Sequence, residues 1–202
     1  VHLAREIARV EEYVERFHLD VADGHYVRQL LFFPDLARAI RRQTKRPLEV
    51  HLMTEHPLDW LEPFGEAGVD GFIFCRDSLD QLGPAVAEVK RMGKYAGVSL
   101  RVEEGLERVE DSAWELLDVL TIVGTPMGVK GSTGLDPSVL PKIRGARAEI
   151  AARGASTEIE VDGGIRPHTV PQIAAAGADW IVPGSLLFGQ DPHEFREWLK
   201  SC

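Results

Sequence analysis

The sequence predicts one α/β domain of the (β/α)8 (TIM) barrel type, with its first strand lying outside the 202 residues given. Three observations lead there. Short β-branched runs alternate with longer amphipathic segments, the pattern of a parallel sheet covered by helices. A helix-closing punctuation repeats, as Glu66-Ala67-Gly68-Val69-Asp70 and Ala175-Ala176-Gly177-Ala178-Asp179, with glycine where a left-handed residue is needed. Polar residues of metal-ligand type recur at the carboxyl ends of the predicted strands, where barrel sites form.

Taken in order, Val1-His2-Leu3-Ala4-Arg5-Glu6-Ile7 reads as an amphipathic helix and not as a signal peptide. A barrel of eight needs a strand before that helix, so an N-terminal segment of roughly ten residues is expected to lie beyond this sequence. Strands are predicted near Arg16 to Ala22, Leu48 to Met53, Gly71 to Cys75, Tyr95 to Leu100, Val119 to Val123, Glu158 to Asp162 and Trp180 to Val182. Helices fit between them near Pro34 to Arg42, Leu58 to Ala67, Leu79 to Met92, Leu106 to Leu117, Ser138 to Arg153 and Thr169 to Ala176, with a last one near Pro192 to Lys200. No linker or composition break divides the chain, so residues 1–202 are expected to form a single domain.

Composition narrows the function. A hydrophobic content of 44% and a charged content of 27% suit a globular protein with a substantial core. The 32 acidic against 23 basic residues give a net charge of -9, which argues against nucleic acid as a partner. The one dense basic run, Arg41, Arg42, Lys45 and Arg46, falls at the end of a predicted helix, where it compensates the dipole. With Cys75 and Cys202 as the only cysteines, no disulfide framework is indicated, and a reducing, cytoplasmic setting is expected. No apolar run reaches the roughly 20 residues that span a bilayer, so no membrane role is expected.

The period-2 geometry of a strand sorts its residues by face. In Phe17-His18-Leu19-Asp20-Val21-Ala22, the residues Phe17, Leu19 and Val21 face the helices while His18, Asp20 and Ala22 face the barrel interior. Leu48, Val50 and Leu52 likewise face outward, with His51 and Met53 inward. Ile159 and Val161 face outward, with Glu160 and Asp162 inward. His18, Asp20, His51 and Asp162 therefore meet at strand ends as a His2Asp2 set, suited to one divalent ion such as Zn, Mn, Fe or Co. Gly163 and Gly164 after one strand, and Gly184 with Ser185 after the next, let backbone N–H groups approach an anion. Gly128, Lys130 and Gly131 could close over the same anion. Met53 and Ser99 read as barrel filling that could also touch a substrate, Asp23 and His25 as turn residues, and Cys75 as a small buried hydrophobe.

These motifs closely resemble the ribulose-phosphate 3-epimerase family of ketose-phosphate epimerases, (β/α)8 barrels, over Leu3 to Gly189. The resemblance is carried by His18-Leu19-Asp20-Val21-Ala22-Asp23-Gly24-His25-Tyr26-Val27, Val50-His51-Leu52-Met53, Gly97-Val98-Ser99-Leu100, Ile159-Glu160-Val161-Asp162-Gly163-Gly164-Ile165 and Gly184-Ser185-Leu186-Leu187-Phe188-Gly189. It implies that His18, Asp20, His51 and Asp162 bind the metal, that Asp20 and Asp162 move the proton, and that Gly163, Gly164, Gly184 and Ser185 hold the substrate phosphate. It also implies a homo-oligomer. The chain departs from the family pattern at Ala22, where many members carry methionine, and at Cys75, where histidine is usual. The loop Thr125-Pro126-Met127-Gly128-Val129-Lys130-Gly131-Ser132 stands where the family reads like Pro-Gly-Phe-Gly-Gly-Gln.

Inverting a carbon beside a ketone requires taking a proton from one face and returning one to the other. Two carboxyls on opposite sides can do so, one ionised and one protonated. A metal-dependent C3 epimerase of a ketose phosphate is therefore expected, with ribulose 5-phosphate and xylulose 5-phosphate as the leading pair. The alternatives are the same chemistry on allulose 6-phosphate or a tetrulose phosphate, and a non-catalytic sugar-phosphate or metal-binding protein.

Overall fold

In a computed structural model that describes residues 2–128 and 134–202, seven strands form one parallel sheet in the order β1-β2-β3-β4-β5-β6-β7. They are β1 Phe17–Ala22, β2 Leu48–Met53, β3 Gly71–Cys75, β4 Tyr95–Leu100, β5 Val119–Val123, β6 Glu158–Asp162 and β7 Trp180–Val182. The main helices are α1 Leu3–Val10, α2 Pro34–Arg41, α3 Leu61–Glu66, α4 Leu82–Arg91, α5 Asp111–Trp114, α6 Val139–Arg153, α7 Val170–Ala176, α8 Gly184–Phe188 and α9 Pro192–Leu199. Consecutive parallel strands joined through helices are the barrel architecture, here with one strand missing between β7 and β1. Across that opening lies a cleft of about 550 Å³, walled by Leu3, Ile7, Val10, Trp180, Leu187 and Phe195. Strand β7, with a neighbour on one side only, is half-buried, whereas β2, β3 and β5 are buried along their whole length.

The expected parity holds. Leu19, Val21, Leu48, Val50, Leu52, Ile159 and Val161 belong to the main apolar core between sheet and helices. The two repeated punctuations close α3 and α7 alike: Val69 N–H bonds Phe64 C=O and Ala178 N–H bonds Ile173 C=O, around Gly68 at φ 90° and Gly177 at φ 104°. A further repeat follows. Asp70, Asp118 and Asp179 each stand just before a strand and accept an N–H group from the first or second residue of the preceding one, Leu48, Ala96 and Ile159 respectively, at 2.8 to 2.9 Å. Each carboxylate is also paired to a helix cation, Arg41, Lys90 and Arg147 respectively. This clamp recurs at every second βα unit and pins strand register at the amino-terminal end of the barrel.

Two predicted helices are shorter than expected. The segment predicted from Leu106 to Leu117 is a 3₁₀ turn at Leu106–Arg108 and a four-residue helix, α5, interrupted by Glu110 in an extended conformation. The cause is tertiary: the Glu110 carboxylate accepts the N–H groups of Leu82 and Gly83 and pairs with Arg76, capping α4 in place of continuing its own helix. The segment from Leu58 opens as a 3₁₀ turn, Pro57–Trp60, before α3. A short helix not predicted from the sequence, α8, begins directly at Gly184.

Candidate active site

Register brings the site together. Parallel pairing of β1 with β2 sets Asp20 beside His51 and His18 beside Glu49, while pairing of β6 with β7 sets Asp162 beside Val182. His18, Asp20, His51 and Asp162 each offer a ligand atom within 4.8 Å of the others. His18 Nε2 lies 3.6 Å from Asp20 Oδ1, and His51 Nδ1 lies 3.5 Å from the same oxygen and 3.8 Å from Asp162 Oδ2. Ligands about 2.1 Å from a tetrahedral cation stand about 3.4 Å apart, so this spacing fits one ion. The second sign is that His18 Nε2, Asp20 Oδ1 and His51 Nδ1 are buried and have no hydrogen-bond partner among the described residues. Buried polar atoms are ordinarily paired, and three such orphans close together suit the binding of a cation. The residues present therefore fit a divalent metal.

Electrostatics sort the two aspartates. Burial works to raise the Asp20 carboxyl, but the facing His18 and His51 imidazoles outweigh it and hold it well below the usual carboxylate range. Burial and then the Asp20 charge push Asp162 above that range. Burial lowers His51, yet neighbouring Cys75 and Asp20 prevail and raise it to about 10. His18 is likewise raised despite burial, chiefly by Glu160, Asp20 and Glu49.

Beneath the four ligand residues lies a second polar layer, of which sequence reading placed Glu160 inward but missed Glu49 and the role of both. Glu49, 0% exposed, takes the His18 Nδ1 proton at 2.9 Å and the Tyr95 hydroxyl at 2.9 Å. Glu160 accepts from Thr121 Oγ1 at 2.9 Å and sits 3.5 Å from His18 Nδ1. Burial and Glu49 raise Glu160 to about 8, whereas Glu49 is held at about 2, burial notwithstanding, by His18 and Arg16. His18, Glu49 and Glu160 also form a ligand-like cluster, but it already has a cation: Arg16 lies 3.5 Å from Glu49 and 3.7 Å from Glu160, and stacks on Trp180 at 4.4 Å. The signal was present in the two-residue period, which sets Glu49 one step below His51 and Glu160 one step below Asp162.

Other expected residues fall around this centre. Gly163 and Gly164 follow β6 with φ of 90° and 70°, and Gly184 with Ser185 opens α8 beside them. Ser99 is buried, and its Oγ lies 2.8 Å from His51 Nε2. Met53 packs with Ala22 and Cys75, and against Tyr26, Val27, Leu31 and Met127, at the mouth of the barrel. Asp23 shapes the turn after β1, taking the N–H groups of His25 and Tyr26 on one oxygen and that of Glu55 on the other. Gly128 accepts a hydrogen bond from the Gln29 side chain at 3.3 Å. Lys130 and Gly131 lie outside the described residues.

A parallel barrel carrying histidines and paired aspartates at the carboxyl ends of its strands is the class of a barrel enzyme with a site able to hold a metal. Known proteins narrow this. The model of the ribulose-phosphate 3 epimerase family matches residues 1–188. The cytoplasmic isoform of ribulose-phosphate 3-epimerase from Oryza sativa subsp. japonica is 37% identical over 193 residues, 91% of this chain and 80% of that protein. The Bacillus subtilis enzyme of the same name is 33% identical, covering 93% of this chain and 87% of its own. Among solved structures, 3-hexulose-6-phosphate synthase superposes with a TM-score of 0.73 at 18% identity, covering 98% of this chain and 91% of that one, which supports the barrel fold. The chain belongs to the ribulose-phosphate 3-epimerase family and is an isomerase of the epimerase type. No helix among the described residues is long and apolar enough to cross a membrane.

Proposed function

We propose that this protein inverts C3 of a ketose phosphate, interconverting ribulose 5-phosphate and xylulose 5-phosphate. The observation that carries the reading is the pair Asp20 and Asp162, on different strands, their carboxyls shifted in opposite directions and both within 4 Å of His51 Nδ1. Asp20, ionised, removes the C3 proton as its C–H electron pair moves toward the ketone oxygen, giving an ene-diolate. Asp162, protonated, returns a proton to C3 from the other face as the carbonyl reforms. The reverse reaction exchanges the two roles. His18, Asp20, His51 and Asp162 would hold one divalent cation, Zn, Mn, Fe or Co. When bound, that ion supplies Lewis-acid stabilisation of negative charge on the substrate oxygens.

The substrate phosphate would rest on backbone N–H groups of Gly163, Gly164, Gly184 and Ser185, where no bulky side chain hinders approach. Ala22 and Cys75 at the mouth, small beside the methionine and histidine of the family pattern, favour a second reading in which the sugar is larger, such as allulose 6-phosphate. The test is incubation of metal-loaded protein with a panel of ketose phosphates in deuterated water, following deuterium entry at C3 by NMR. Exchange and inversion with the pentuloses supports the first reading and exchange with the hexulose alone the second. Binding without exchange would leave a non-catalytic protein.

A further inference from the structure

The two ligand histidines are held from behind by different groups, and in opposite senses. His18 turns Nδ1 toward Glu49 Oε1 at 2.9 Å and leaves Nε2 bare toward Asp20. His51 turns Nε2 toward Ser99 Oγ at 2.8 Å and leaves Nδ1 bare toward Asp20 and Asp162. Neither anchor is free to swing. Glu49 is held at its other oxygen by the Tyr95 hydroxyl at 2.9 Å and faced by Arg16 at 3.5 Å, donors that come from β4 and from just before β1. The Phe74 carbonyl oxygen, 3.4 Å from Ser99 Oγ, offers an acceptor for the hydroxyl hydrogen when the Ser99 oxygen accepts from His51.

We propose that Glu49 and Ser99 are positioning residues that set the two imidazoles in opposite tautomers, so that a cation meets His18 through Nε2 and His51 through Nδ1. The proposal rests on the metal-binding part of the reading above and adds residues that touch neither metal nor sugar. A carboxylate accepting the remote N–H fixes the ring, leaves the facing nitrogen deprotonated and raises its basicity as a ligand. The Ser99 hydroxyl fixes His51 in the same way without a charge. The centre therefore has one carboxylate-backed histidine and one hydroxyl-backed histidine, and the first contributes more to affinity.

The test uses the zinc-loaded full chain. Long-range proton–nitrogen NMR of the imidazoles should place the remaining N–H on Nδ1 of His18 and on Nε2 of His51. Finding both rings bound through the same nitrogen overturns the proposal, and this readout needs no variant to fold. In chelator competition, Glu49→Gln should weaken zinc about 10- to 100-fold. Thr121→Val, a change in the same buried layer that contacts Glu160 but no histidine, should leave zinc affinity within about threefold of wild type. An unchanged affinity in E49Q, or an equal loss in T121V, also overturns it. A wild-type chain that takes up no zinc sinks the metal reading itself, whereas zinc uptake with a normal E49Q sinks only the positioning role.

Discussion

Asp20 and His51 stand side by side in the β1–β2 register, and Asp20 Oδ1 lies 3.5 Å from His51 Nδ1 with no donor proton shared at hydrogen-bond distance. Two strands that pair through their backbones thus deliver an acid and an imidazole to one point, and β6 brings Asp162 to the same nitrogen at 3.8 Å. The proposed proton chemistry depends on this arrangement.

The proposed two-face mechanism predicts a split between exchange and inversion. Asp162→Asn should lower epimerisation by about 10²- to 10⁴-fold, the usual worth of a general acid or base. It should still let the epimer whose C3 hydrogen faces Asp20 exchange that hydrogen with deuterated water. NMR of substrate and product in parallel checks this. Inversion at the wild-type rate would remove Asp162 from the mechanism.

Metal uptake should release protons. The metal-free chain holds His51 at about 10, so at pH 7 this ring is charged and must lose a proton to become a ligand. Titration calorimetry in buffers of different ionisation enthalpy should show heats that vary with the buffer, and affinity should weaken as pH falls. Heats independent of buffer would contradict it.

The same shifts give the metal-free protein a pH-dependent stability. A histidine raised above its unfolded value contributes stability that is complete below about pH 6.5 and is lost as pH rises through the folded value, here about 10 for His51. Glu160, raised to about 8, acts in the same direction at lower pH. The urea midpoint of chelator-treated protein should fall between pH 6 and pH 9, and bound metal should blunt the fall.

Gly124 directly follows β5, and a Cβ there would stand 2.0 Å from the Gly163 carbonyl oxygen. Backbone cannot yield as a side chain can. Gly124→Ala should cost about 1 to 3 kcal/mol in urea unfolding, the range for overpacking, and raise the Michaelis constant by displacing Gly163.

Much of this molecule could be read from residue order. Seven strands and the inward set His18, Asp20, His51 and Asp162 follow from a period of two, because burial on one face and ligands on the other leave a direct trace in composition. The acidic layer under the site did not stand out, although Glu49 and Glu160 obey the same period. A buried carboxylate is legible only once its partners are known, and Arg16, Tyr95 and Thr121 come from before β1, from β4 and from β5. The broken helix around Glu110 was hidden for a like reason: its carboxylate caps α4, a helix distant in sequence.

X-ray absorption on the protein stripped by chelator and reloaded with one equivalent of zinc probes the four-ligand centre itself. One ion per chain is expected, with two imidazole nitrogens and carboxylate oxygens around it, lost in His51→Ala. A shell without imidazole, or no stoichiometric uptake, would contradict it.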